Sequence, residues 1–267
     1  MSDDAVKKVL GWVCLVIAPA VLIAIELFHP AGFTHDPGMY QYLHIPQPQP
    51  YIHGHEALGY FGPQWWFILH MIQTPMFGLI AVGLWLLAGK ITSADGPAAM
   101  TLAWLSRVAT FVFFVYYTAL DAIGGFGLAR SIEITEQSAH TGPLTLLLTP
   151  TPAPTPAPTL TPTLTPDQIK GVEMVLNSTW TDKWVGGVGS FISMTGSWAI
   201  FISVLLLALA LFVTKKAPWP ALILLVAFGW ELQLSHTMPH GPIACALLIL
   251  SALWMWWQGR HQVVEHV

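Results

Sequence analysis

The sequence predicts an all-α fold: a polytopic membrane helical bundle of about six transmembrane helices, with both termini on the cytoplasmic side. Three observations carry this expectation. Hydrophobic residues make up 54% of the 267 residues and charged ones only 9%, against roughly a quarter charged in an ordinary soluble domain. The apolar residues fall into runs near the ~20 residues that a helix needs to cross a bilayer core. Lysine and arginine gather in alternate connections, the pattern of cytoplasmic loops. A formal net charge of −4 without a basic tract excludes nucleic acid as a partner. The expected partners are the lipid bilayer and subunits of a membrane complex.

The first apolar run is Val9–Phe28, preceded by Lys7 and Lys8. It is longer than the h-region of a secretory signal and ends in Phe28-His29-Pro30, not in a small-x-small cleavage site. A retained helix is expected. The outer loop 30–64 carries His35, His44, His53 and His55, with Tyr40, Tyr42, Tyr51 and Tyr60. Such an aromatic, proline-rich loop suits the bilayer interface. The second helix is Trp65–Ala88. Pro75 within it removes the backbone bond to Met71 and is expected to kink the helix beside His70. The third is Val108–Leu128, with an apolar lead-in from Pro97.

Residues 141–166 are a low-complexity threonine–proline tract, for which an extended, loosely packed conformation is expected. Residues 167–184 place Ile169, Val172, Val175, Leu176 and Trp180 at near-helical spacing after Asp167, a suitable N-cap. They read as an interfacial amphipathic helix. Three further spans follow, Gly189–Val213, Trp219–Ser235 and Pro242–Trp257, the last two short. No internal repeat is visible, and residues 1–267 read as a single integral membrane domain.

With the N-terminus inside, Lys7, Lys8, Lys90, Arg107, Lys215, Lys216 and Arg260 lie inside, and Arg130, Lys170 and Lys183 outside. Seven against three favours this orientation, in a bacterial inner or plasma membrane. Cys14 and Cys245 fall at depths that differ by half a membrane or more, too far for a disulfide.

The polar residues inside the spans share one depth. Of the eleven histidines, only His261 and His266 lie on the inner side. Glu26 is close to the outer end of the first helix, and Glu231 to that of the fifth. Asp121 is 14 residues beyond Arg107, about 21 Å further along the helix. An ionisable group at such a depth costs several kcal/mol without a partner, so it marks function by default. Glu26 and His29 share a helix face at i,i+3. His236 and His240 come from the hinge Glu231-Leu-Gln-Leu-Ser-His-Thr-Met-Pro-His240.

These residues support a histidine–carboxylate site in the outer half of the bilayer. Neutral imidazole ligates both metals and haem iron. Haem b would take His70 with His236 or His240. A transition metal (copper, zinc or iron) would draw on His29, His70, His236, His240, Glu26 and Asp121, with Met39, Met71 and Met238 as soft donors for copper. Redox chemistry at this site is the leading functional expectation. A non-catalytic accessory subunit of a membrane complex, or a proton- or cation-coupled transporter using Asp121, Glu26 and Glu231, are the alternatives. No Cys-x-x-Cys-His, His-Glu-x-x-His or Cys-x-x-Cys motif occurs.

Overall fold

The computed structural model describes residues 3–29, 47–50, 56–140, 164–187 and 189–264. The chain is an all-α bundle. It is a multi-pass membrane protein: five helical stretches are long and apolar enough to cross a bilayer, and Trp219–Leu234 is a shorter apolar helix packed among them.

The first span consists of α1 (Asp3–Trp12), a wide π-helical turn at Val13–Ile17, and α2 (Ala18–Glu26). It begins earlier than the apolar run because Ala5 and Val6 extend its helical face. Next comes a short antiparallel ribbon, β1 (Gln47–Pro50) with β2 (Glu56–Phe61), pairing Gln47 with Phe61 and Pro48 with Tyr60. The sequence reading expects no strands here. Proline cannot donate to a ladder, but a two-stranded ribbon leaves every strand with a free edge. The expectations for His35, His44, His53 and His55, and for residues 141–163 of the threonine–proline tract, lie outside the described residues.

The second span is α3 (Pro63–Ala88), which runs uninterrupted through Pro75. The third starts at Pro97, well before Val108. α4 (Pro97–Leu120) passes through a π-helical stretch, Asp121–Gly127, into α5 (Leu128–His140). Within that stretch Gly125 leaves helical geometry, at φ −91° and ψ −107°. α6 (Pro166–Thr181) is capped by Thr165, not Asp167. Its hydroxyl accepts from Gln168 N at 3.3 Å, and Thr165 N donates to Gln168 Oε1 at 2.8 Å. Proline is tolerated at the first helical position, where its missing N–H has no intrahelical partner. α7 (Phe191–Val213), α8 (Trp219–Leu234) and α9 (His240–Val264) complete the bundle.

The spans close a ring. α2 packs on α9, α9 on α8, α8 on α7, α7 on α4, α4 on α3, and α3 back on α2. Small residues and hydroxyls let the helices approach, as lipid-embedded packing favours. A Cβ on Gly83 would lie 2.6 Å from Leu15. Thr110 Oγ1 sits 2.6 Å from Ser203 Oγ, which donates to Ser106 O at 3.1 Å. Phe77, Phe113 and Tyr117 form the aromatic centre, with ring centroids 4.7–5.9 Å apart. Trp12 meets Trp256 at 4.8 Å, so the start of the first span and the end of the last share one end of the bundle. Cys14 and Cys245 are both free and buried.

Candidate functional site

The opposite end of the bundle collects the polar residues. His29 follows the last turn of α2, His70 sits about two turns into α3, and His236 lies in the connection between α8 and α9. Their rings meet edge to face. His29 is 5.5 Å from His70 and 5.2 Å from His236, centroid to centroid, at interplanar angles of 69° and 85°. Trp66, one turn before His70, packs on both His29 at 5.1 Å and His70 at 4.5 Å. Its indole Nε1 donates to Gly124 O at 2.9 Å, tying α3 to the π-helical stretch. Tyr117 of α4 borders His236 at 5.8 Å.

His70 Nδ1 lies 2.8 Å from Trp66 O. A carbonyl can only accept, so Nδ1 carries the proton and Nε2 keeps its lone pair. Thr74 stands one turn beyond His70. Its hydroxyl lies 2.7 Å from Asp121 Oδ2 and 2.9 Å from His70 O, sharing its proton between them. Asp121, Glu26, His29 and His70 are all buried, none more than 4% exposed. His236 is partly open. Even so, desolvation among its neighbours pushes its pKa from 6.5 down to about 4, leaving it neutral at pH 7, the form that ligates metals. Gln73 is fully buried on α3, and neither amide atom has a hydrogen-bond partner among the described residues.

A small cavity lies between these groups, lined by His29, Trp66, His70, Asp121, His236 and Thr237. Gly124 and Gly125 form one wall, and Trp180 of α6 closes it. The approach is tight. A Cβ on Gly125 would fall 2.5 Å from His70 Cδ2, and one on Gly124 would fall 3.1 Å from Trp180. Trp66 and Trp180 meet at 6.4 Å.

Two of the sequence-derived candidates stand apart from this cavity. His240 turns to Glu231, with Nδ1 2.8 Å from Oε2, and the pair is 38% and 25% exposed. The pair joins the end of α8 to the start of α9. Glu26 is buried at the end of α2 and does not line the cavity. Conversely, Trp66, Thr74, Tyr117 and Trp180 were not singled out as site residues. Trp66 and Thr74 flank His70 at i−4 and i+4, the helical spacing of a shared face, and that is the signal that would have found them. Trp180 carries none, because its contact crosses the chain from a separate helix.

The space open to the centre of a water molecule is about 30 Å³, enough for one or two waters. Cofactor-sized pockets hold about 300–1,000 Å³, so the enclosure does not fit haem b. Among the described residues, no group of three or more histidine, cysteine or acidic side chains has its donors arranged to hold a metal ion. Compared with known protein families, with curated proteins and with solved structures, the chain matches none.

Proposed function

We propose that the protein binds one transition-metal ion between His29, His70 and His236, with Asp121 as the adjoining carboxylate. The observation that carries this reading is the ring spacing. A four-coordinate ion holds imidazole nitrogens at about 2.0–2.1 Å, and the ring centres lie about 1 Å further out, so ligands on tetrahedral directions have centres about 5 Å apart. The two measured separations are 5.5 and 5.2 Å. The Nδ1–H of His70 on the Trp66 carbonyl adds support, because metal-ligating histidines commonly donate their second nitrogen to a carbonyl or carboxylate. Convergence of the nitrogens requires the His29 and His236 rings to turn about χ2, a broad torsion for histidine, while Trp66 O holds the His70 ring in place.

Three imidazoles with a free position suit zinc, copper or iron. Such an ion supplies Lewis-acid polarisation, and for copper or iron also electron exchange. The chain's own residues have separate tasks. Thr74 holds Asp121 by one hydrogen bond and Trp180 limits the entry of water. Trp66 fixes the His70 tautomer through its carbonyl. Metal content is the test. Detergent-purified protein loaded with zinc or copper and then desalted should keep about one ion per chain. His70→Ala and His236→Ala should each lower that value, and His261→Ala, at the other end of the bundle, should not. Wild-type protein that keeps no ion would end the proposal.

One observation favours a second reading, a structural polar core without a ligand. The Thr74–Asp121 and Trp66–Gly124 hydrogen bonds already tie α3 to the third span. On that reading His70→Ala lowers thermal stability while metal content is nil throughout. No observation favours the accessory-subunit or transporter reading over these two.

A further inference from the structure

A second feature lies on the outer surface of the bundle, between α3 and α4. An apolar groove of about 900 Å³ is lined by Pro75, Val82 and Trp85 on one side and Phe111 and Phe114 on the other. From Pro75 to Leu86 the groove follows about 16 Å of helix. That is about half of a ~30 Å hydrocarbon core, the depth of one leaflet. A groove for a partner helix would continue along the whole span. This one stops at mid-bundle.

Among the described residues that line the groove, Arg107 is the charged one. Its guanidinium lies 4.8 Å over the Trp104 ring. A Cβ on Gly89, the C-cap of α3, would come within 3.9 Å of Arg107 Nη2, so the side chain reaches the end of that helix. An arginine stem along an apolar wall with its head at the interface is the snorkelling arrangement. Lys90 follows Gly89, and Lys216 Nζ donates to Lys90 O at 2.6 Å. Asp95 is engaged by Lys216. Among the described residues no carboxylate pairs with Arg107. The groove therefore joins a leaflet-deep apolar slot to an excess of positive charge at its interfacial end.

We infer that this groove holds a phospholipid with an anionic headgroup, its acyl chain along α3 and α4 and its phosphate on Arg107. Basic pockets between spans recognise anionic lipid in this way. The competing account is that Arg107 only complements the carbonyls at the C-terminus of α3. Native mass spectrometry of the full chain in mild detergent separates the two, with phosphatidylglycerol and phosphatidylcholine of matched acyl chains as probes. Wild-type protein should retain phosphatidylglycerol at about fivefold lower lipid concentration, the effect of about one cation near a headgroup. Arg107→Gln should erase that preference, and Arg107→Lys should keep part of it. Val82→Trp, which fills the groove, should weaken retention of both lipids. Arg130→Gln, at the opposite end, should leave the preference intact. Equal retention of the two lipids by wild type would overturn the inference and leave boundary lipid only. A preference that survives Arg107→Gln would also overturn it, as would dimers in place of lipid adducts, which would assign the face to a second copy. Should Arg107→Gln fail to fold, the wild-type preference together with the weaker retention of both lipids by Val82→Trp decides the matter, and full retention by Val82→Trp would overturn the inference.

Discussion

Gly125→Ala is the sharpest perturbation of the candidate site, because the added methyl group meets His70 directly. An ideal Cβ at residue 125 would lie 2.5 Å from both Cδ2 and Cγ of His70 and 2.8 Å from its Cβ. Carbon atoms pack best at about 3.5–4.0 Å, so three contacts are short by about 1 Å each. His70 has little room to retreat. Its Nδ1 is held on Trp66 O at 2.8 Å, and its ring is bounded by Trp66 at 4.5 Å and His29 at 5.5 Å. Relief therefore requires α3 to separate from the π-helical stretch. The expected cost is about 1–3 kcal/mol, the usual range for overpacking a filled core, and it belongs near the upper end. Gly171→Ala is the matched control. Nothing lies within 4 Å of a Cβ there, inside α6, so the same chemical change should stabilise by roughly 0.5–1 kcal/mol through helix propensity. Thermal unfolding in detergent, followed by circular dichroism, reads both variants, at about 2–4 °C per kcal/mol. The two substitutions should shift Tm in opposite directions. A Gly125→Ala protein with wild-type Tm would refute the packing of Gly125 against His70.

Thr74→Val keeps the shape and removes the donor to buried Asp121, so stability should fall by about 1–3 kcal/mol, the cost of leaving a buried polar group without its partner. Thr74→Ser should recover most of that loss in the same unfolding assay. The folded pKa of His236, about 4, lies below its ordinary 6.5, so the unfolded chain binds the extra proton first. Stability should therefore be level above pH 7 and fall as the pH drops from about 6.5 towards 4. A His236→Asn protein should lose that part of the slope, and an unchanged pH profile would contradict the desolvation of the ring by its neighbours. Ser178→Cys, exposed on α6, should label with an impermeant thiol reagent applied to intact cells. Labelling only after permeabilisation would reverse the orientation drawn from the lysine and arginine distribution.

The sequence by itself determined the membrane bundle. Bilayer-length apolar runs are local properties of the chain, and each written run corresponds to an observed helix, apart from shifts at the ends. The largest shifts have local causes. α4 begins at Pro97, where the chain leaves a capped turn, and α9 continues to Val264 beyond its apolar part. Depth along the helices is an expectation of the same local kind. A fixed rise per residue places Glu26, His70, Asp121 and Glu231 at one level before any contact is known. Azimuth is not local. Which way a histidine faces depends on how the five long stretches and the shorter α8 close into a ring, and that is set by long-range packing. The tertiary structure thus brings the rings of His70 and His236 to within 5.5 and 5.2 Å of that of His29 while the turn after α8 hands His240 to Glu231. It also lays Trp180 over the cavity from a helix some 50 residues past Asp121. Gly124 and Gly125, having no Cβ, permit close approach. Only the fold supplied the imidazole that approaches, because a missing Cβ leaves room without naming what fills it.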